Sequence, residues 1–242
     1  MARSVTRPIA GITRTRHSQA SGLIGQRIVS GEWPAGTALP TEADLSRELN
    51  VSRASLREAI KLLAGKGLIR STPRRGTIVQ PTNTWNRLDP DVLVWQASGG
   101  ATEAFVRDLF ELRRMIEPEA AALAAVRAGP AERAGVAEAF RAMEQAIDVQ
   151  ASIEADLAFH RAIVLATGNT LLAAFSPAIE ASLAVSFKVS RAGETQPHVV
   201  PMHRAVAEPI VAGNAEAARA AMNALLDRSE TDAISAAVVK KR

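Results

Sequence analysis

Two short apolar stripes stand side by side in Thr41-Glu-Ala-Asp-Leu-Ser-Arg-Glu-Leu49 and Ser52-Arg-Ala-Ser-Leu-Arg-Glu-Ala-Ile-Lys-Leu-Leu-Ala-Gly65. Thr41 has the side chain of an N-cap, and Asp44, three residues on, approximates a capping box. Leu45 and Leu49, one turn apart, give a short helix one apolar face. Asn50-Val51 breaks the pattern. Ser52 caps a second helix, predicted over Arg53 to Lys66, whose inward face is Leu56, Ala59, Ile60 and Leu63. Gly65 and Gly67 end it.

Working outward, residues Ser18 to Ser30 predict a preceding helix with Leu23, Ile24, Ile28 and Val29 inward. Gly31-Glu-Trp-Pro-Ala-Gly36 is a turn by composition. Downstream, Leu68-Ile-Arg70, a Thr-Pro-Arg-Arg-Gly76 tip and Thr77-Ile-Val79 predict a two-stranded wing. From Leu88 onward the patterns are helical, with no convincing strand. Segments near 88–98, 102–129, 131–147, 150–167, 169–191, 198–212 and 214–240 alternate with Gly, Pro or Asn. Abundant alanine favours helix, and no fixed-period repeat suggests a solenoid. The expected fold is therefore mainly α: an N-terminal winged helix-turn-helix, then an all-α antiparallel bundle of six or seven helices. The expected organisation is a mobile basic arm over 1–17, a winged domain over 18–82, a linker and connecting helix over 83–100, and the helical domain over 101–240.

A chain of 242 residues accommodates two such domains. It has no cysteine, which removes disulfides, thiolate metal sites and thiol nucleophiles and suits a reducing compartment. No apolar run reaches the ~18 residues of a membrane span, and the N-terminus lacks the apolar core of a signal peptide. The expectation is a cytoplasmic protein without a membrane partner. Charge is unevenly placed: residues 1–80 hold 13 Lys+Arg and 5 Asp+Glu, a net of +8, and the remainder has a net of −4. On its own this is a solvated basic face or a polyanion-binding segment.

The order of capped helix, turn, capped helix and basic hairpin favours double-stranded DNA. The second helix of such a pair enters the major groove N-terminus first. Arg53 and Arg57 are one turn apart, opposite the Leu56/Ile60/Leu63 stripe, and a guanidinium can pair bidentately with guanine. Ser52 and Ser55, with the free N–H groups of a helix start, suit phosphate oxygens. Arg74, Arg75 and Gly76 place two cations on a tip narrow enough for the minor groove.

These residues also carry a resemblance. Leu39-Pro-Thr-Glu-Ala-Asp-Leu45, Val51-Ser-Arg-Ala-Ser-Leu-Arg-Glu-Ala-Ile60, Leu63-Ala-Gly-Lys-Gly-Leu-Ile69 and Arg75-Gly-Thr-Ile-Val79 are similar to the GntR-type winged helix-turn-helix. Some members have a DNA-contacting arginine where this chain has Ala43, so an operator sequence does not carry over. Phe105-Val-Arg-Asp-Leu-Phe-Glu-Leu-Arg-Arg-Met-Ile-Glu-Pro-Glu-Ala-Ala121, Asp156-Leu-Ala-Phe-His-Arg-Ala162, His203-Arg-Ala-Val-Ala-Glu208 and Gly213-Asn-Ala-Glu-Ala-Ala-Arg-Ala-Ala-Met222 resemble the FadR-like branch, whose effector domain is called FCD. The resemblance implies a homodimeric, ligand-responsive transcription regulator, most of which repress and are released by effector.

Within the helical domain, Asp156 and His160 leave one helix face together, and His203 lies on another predicted helix. A carboxylate and two imidazoles can converge on a divalent metal such as zinc. Alternatively each histidine is a satisfied core residue. In metal-binding members a further histidine follows the residue matched by Met222 by three positions. Here that position is Leu225, which puts the usual site in doubt and leaves three protein ligands. Arg113, within the Leu109/Ile116 stripe, and Arg228, three residues after Leu225, can recognise a carboxylate through a guanidinium fork or snorkel to solvent. Thr84-Trp-Asn-Arg-Leu-Asp-Pro-Asp-Val-Leu-Val-Trp95 resembles the sugar-acid-responsive, galactonate-operon repressor branch. The expected effector-binding set is therefore Arg113, Asp156, His160, His203 and Arg228, for a small carboxylic or sugar acid. Two other classes are weighed: a metal-dependent hydrolase tethered to DNA, and a nonspecific architectural DNA-binding protein. No nucleophile motif or phosphate loop supports the first, and the large helical portion has no role in the second.

Overall fold

The computed structural model describes residues 16–98, 102–189 and 199–239. The expected basic arm, up to residue 15, lies outside these, as do residues 99–100 of the expected connecting segment and residues 101, 190–198 and 240 of the expected helical domain. The fold divides into two units between Asn86 and Arg87.

The first unit contains α1 (Arg16–Val29), α2 (Glu42–Glu48), α3 (Arg53–Gly65), β1 (Ile69–Thr72) and β2 (Gly76–Val79). Both caps form: Thr41 Oγ1 accepts from Asp44 N at 3.3 Å, and Ser52 Oγ accepts from Ser55 N at 3.1 Å. The Asp44 carboxylate does not complete a capping box. It accepts from the Thr41 hydroxyl at 2.7 Å instead. Ala20, Ile24 and Ile28 of α1 are buried with Leu56, Ala59 and Leu63 of α3, and α1 packs on α3. Burying each large aliphatic side chain stabilises by about 1.5–3 kcal/mol. Leu23, expected inward, is 42% exposed. The inward series runs 20, 24, 28 at one-turn spacing, and position 23 falls at its edge. The wing is antiparallel, pairing Ile69 with Val79 through Thr72 with Gly76, and Ala38 bridges to Ile78 on its outer side.

Residues 83–86, expected to begin a linker, are tied to this unit. Thr84 Oγ1 donates to Gly67 O at 3.0 Å, Trp85 Nε1 donates to Gln80 O at 3.0 Å, and Asn86 N donates to Lys66 O at 2.9 Å.

The second unit is helical throughout its described residues: α4 (Pro90–Ser98), α5 (Glu103–Arg127), α6 (Pro130–Glu144), α7 (Val149–Ala166), α8 (Thr170–Val189), α9 (Val199–Ala212) and α10 (Ala215–Val239). Punctuation follows chemistry. Pro130 stands in the first turn of α6, Asp148 accepts from Ala151 N at 2.7 Å to cap α7, and Gly168 and Gly213 take positive φ at helix ends. α5 runs through the middle, touching α7, α8, α9 and α10. Its Ala120, Ala121, Ala124 and Ala125 are buried against Phe140, Phe159, Ile163, Ile210, Met222 and Leu226 of the surrounding helices. Small residues on the central helix let these larger side chains approach closely, at the density interiors require. Among the described residues no helix is long and apolar enough to cross a membrane.

Gly67 joins α3 to the wing at φ +77°, and a Cβ there would stand 2.1 Å from Thr84 O. Gly67→Ala must strain the backbone and displace the 83–86 segment, so urea unfolding followed by tryptophan fluorescence should show a loss of about 1–3 kcal/mol. A loss within experimental error would contradict the tie between Gly67 and this segment.

Candidate functional site

The amphipathic order that buries Leu56 and Leu63 leaves Ser52, Arg53 and Arg57 of the α3 start exposed, with Ser55 half-buried. The Ser52 hydroxyl also donates to Ser55 Oγ at 3.0 Å. At the wing tip Arg74, Arg75 and Gly76 are exposed, and Arg74 adopts φ 64° and Gly76 φ 78°. Arg57 is not a freely moving cation: its Nε donates to Glu42 Oε2 at 3.0 Å, across the turn to α2. Glu42 was not singled out from sequence, because fifteen residues separate it from Arg57 and only the helix-helix angle brings them together.

In the helical unit, five ionisable side chains gather in the interior. Arg113, Glu117, Asp156, His160 and His203 are each 2–3% exposed. Arg113 and Glu117 lie one turn apart on α5, Asp156 and His160 one turn apart on α7, and His203 comes from α9. Arg113 Nε donates to Glu117 Oε1 at 2.6 Å, and Arg113 Nη1 makes a long contact of 3.4 Å with Ser186 Oγ of α8. The Arg113 guanidinium lies over the Phe110 ring, 4.9 Å from its centroid. Glu117 Oε2 is 2.7 Å from His160 Nδ1. Asp156 Oδ1 is 2.8 Å from His203 Nε2, and Asp156 Oδ2 is 4.0 Å from His160 Nε2. Phe159 closes one side, its ring edge-on to both imidazoles at 5.8 and 5.4 Å.

The partners set a proton on one nitrogen of each imidazole. His203 Nδ1 is 2.7 Å from the Val199 carbonyl, an oxygen that only accepts, so this nitrogen carries the proton. His160 Nδ1 lies 2.7 Å from the Glu117 carboxylate, which likewise favours a proton there, although the approach is not a well-aligned hydrogen bond. Both Nε2 atoms are thereby turned toward Asp156. Burial alone would raise the Glu117 carboxyl, but the charges of Arg113 and His160 and their hydrogen bonds outweigh it and hold the group down to about 2. Burial opposes ionisation of Asp156 too, and the neighbouring His203 overcomes it, so its pKa is lowered.

The Asp156, His160 and His203 ligand atoms lie within 4.8 Å of one another, a set able to hold a metal ion. Two details fit that capacity. Asp156 Oδ2, His203 Nε2 and Glu117 Oε2 are buried without a hydrogen-bond partner, although His203 Nε2 is only 2.8 Å from Asp156 Oδ1 and Glu117 Oε2 only 2.7 Å from His160 Nδ1. The approach of Asp156 and His203 is oblique, as between two ligands aimed at a third point rather than at each other. Leaving such atoms unsatisfied costs about 1–3 kcal/mol each. The N, N, O donor set suits a borderline divalent cation.

Of the five effector-binding residues expected from sequence, Arg113, Asp156, His160 and His203 come together. Arg228 does not: it is exposed on α10 and pairs with Asp232 at 3.1 Å. Its offset from Leu225 carries it past the buried face. Leu225 is 3% exposed and packs in the apolar core with Met222 and Leu226, so it supplies no ligand. Glu117 was missed, although its one-turn spacing from Arg113 was a readable signal.

The depressed Glu117 pKa makes a pH prediction. The folded carboxyl titrates near about 2 and its ordinary value is 4.5, so acid protonates the unfolded chain first. The stabilisation is complete above about pH 4.5 and is lost as pH falls through the folded value. Urea midpoints measured down this range should fall less steeply for Glu117→Gln than for the wild type. Parallel curves would contradict the assignment.

Comparison with known proteins agrees with both units. The family model of bacterial regulatory proteins of the gntR family matches residues 17–79, and the FCD domain model matches residues 108–228. The chain is 32% identical over 208 residues to the uncharacterized HTH-type transcriptional regulator YieP of Escherichia coli K12, covering 84% of this chain and 89% of that one. It is 32% identical over 201 residues to the galactonate operon transcriptional repressor of the same organism, covering 82% and 88%. Among solved structures, Lar of Listeria monocytogenes, described as controlling expression of the agr system, shares the fold with a TM-score of 0.63 at 18% identity, over 92% of this chain and 98% of that one. With its winged helix-turn-helix and its helical domain each matched, the chain belongs to the GntR family, FCD-containing branch, and is a DNA-binding transcription regulator.

Proposed function

We propose that the protein is a repressor that binds its operator as a homodimer and is released by a small hydroxylated carboxylic acid, an aldonate or related sugar acid. One observation carries the effector half of this reading: a guanidinium, two carboxylates and two imidazoles are buried together in a mainly apolar bundle. An acyl chain would have no use for them. A hydroxy acid offers a carboxylate to the Nη end of Arg113 and hydroxyls to the remaining polar atoms. The likeness to the galactonate operon repressor supports the same direction.

Asp156, His160 and His203 are the residues that would hold a divalent transition metal, zinc or similar. Such an ion supplies a Lewis-acid point for oxygens of the effector. With Leu225 contributing no ligand, three protein ligands leave room for an effector oxygen or water. On the DNA side, Arg53 and Arg57 read base edges in the major groove, Ser52 and Ser55 face phosphates, and Arg74, Arg75 and Gly76 enter the minor groove. A two-fold dimer doubles this contact on a palindromic operator. The effector acts by binding one arrangement of the paired winged domains better than the other.

Two experiments test the halves separately. Arg57→Ala should cost about 1–3 kcal/mol in operator binding, roughly 5- to 150-fold in affinity, and relax discrimination at one base pair. Unchanged affinity by footprinting would reject Arg57 as a base reader. Calorimetry with aldonates, uronates, short dicarboxylates and acyl thioesters should show a sugar acid binding the wild type. Arg113→Lys, which keeps a charge beside Glu117 but lacks the fork, should bind that acid at least about tenfold more weakly. Binding of acyl thioesters alone, or equal binding by the variant, would overturn the effector reading.

A further inference from the structure

We propose that Glu117 is the positioning residue of the buried cluster: with Oε2 2.7 Å from His160 Nδ1, it keeps a proton on that nitrogen and leaves the Nε2 that faces Asp156 and His203 for a cation, and so prepares a three-ligand site. This rests on the cation reading given above and adds to it a residue outside the ligand set. The geometry is specific. Glu117 uses its two oxygens on two different helices: Oε1 accepts from Arg113 of its own α5 at 2.6 Å, and Oε2 lies 2.7 Å from His160 of α7. The carboxylate has no room to choose another arrangement, being 2% exposed. Arg113 then has two uses. Its Nε edge holds Glu117 in place, and its Nη1 reaches Ser186 Oγ at 3.4 Å.

The proposal distinguishes Glu117 from a structural ion pair, because a neutral isostere should reverse the imidazole rather than merely loosen it. In Glu117→Gln, Arg113 Nε is a donor and claims the amide oxygen. The amide NH2 then faces His160 Nδ1, and two donors cannot share that contact. His160 must accept at Nδ1 and carry its proton on Nε2, the nitrogen that would bind the cation. The orientation of α5 and α7 and the apolar packing around them need not change.

The chain has only four histidines, so nitrogen NMR of the full-length protein with labelled histidine can separate them, with single His→Gln replacements for assignment. The metal-free wild type is expected to show His160 protonated at Nδ1, and Glu117→Gln to show it protonated at Nε2. Titration with zinc chloride, followed by calorimetry, should show the variant binding roughly 10- to 100-fold more weakly, the usual range for losing an outer partner of a metal-bound histidine. A wild-type His160 protonated at Nε2 overturns the proposal, and this readout does not depend on the variant folding. Zinc bound as tightly by folded Glu117→Gln as by the wild type also overturns it while leaving the cation reading intact. A wild type with the expected tautomer that binds no zinc overturns the cation reading, and with it the purpose assigned to Glu117.

Discussion

Arg113 and Glu117 meet at 2.6 Å in the buried interior of a helix bundle. Charges in such a place are tolerated only when paired, and removing one partner of a buried pair costs about 3–5 kcal/mol. The rest of the cluster follows from that constraint. Glu117 must remain ionised to balance Arg113, and its second oxygen lies 2.7 Å from His160 Nδ1. With its Nδ1 committed, His160 turns its other nitrogen toward Asp156, where His203 arrives from α9 with its own Nδ1 held by Val199. A chain of single commitments thus leaves two imidazole nitrogens and a carboxylate pointing at common ground. An apolar bundle of the same helices would be simpler to fold and at least as stable. A polar centre of this kind is therefore better explained by a ligand than by stability.

The winged unit uses charge in the opposite way. Its arginines at the α3 start and the wing tip lie on the surface, where water screens them and where surface pairs contribute about 1 kcal/mol or less. Glu42 on Arg57 is such a pair. Its consequence lies less in stability than in orientation: it holds the Nε edge of the guanidinium at the α3 start. In both units a carboxylate holds the Nε edge of an arginine, at the surface in one case and in the interior in the other.

Much of this was readable from the chain alone, for physical reasons that differ by element. Caps are local, so Thr41 and Ser52 announced α2 and α3, and Gly67 and Gly76 marked the ends of what followed. The helical periodicity of Leu56, Ala59, Ile60 and Leu63 made the inward face of α3 plain. Asp156 and His160 were legible as a pair because one helical turn separates them, and the resemblance to FCD domains brought His203 beside them. Leu23 was misplaced because a two-residue run of apolar side chains does not say which member lies at the centre of the stripe. The spacing of Arg228 from Leu225 left two readings open, a carboxylate-binding fork and a chain reaching to solvent. In the structure it is exposed and pairs with the half-buried Asp232 one turn on. Glu117 was passed over because a glutamate beside three apolar neighbours reads as solvated surface until its partner on α7 is known. Glu42 is the same case at shorter range: contacts between helices are set by packing angles that periodicity does not encode.

The central claim is that the buried cluster is where a small acid and a cation meet the protein. Its most direct test is a crystal structure of the full chain grown with zinc chloride and the tightest-binding aldonate, with anomalous scattering recorded at the zinc edge. The account predicts one anomalous peak about 2.0–2.2 Å from Asp156 Oδ, His160 Nε2 and His203 Nε2, with an acid oxygen on its open side and the acid carboxylate at the Nη end of Arg113. Zinc and acid bound elsewhere on the protein, with the five side chains paired among themselves as in the free chain, would contradict it.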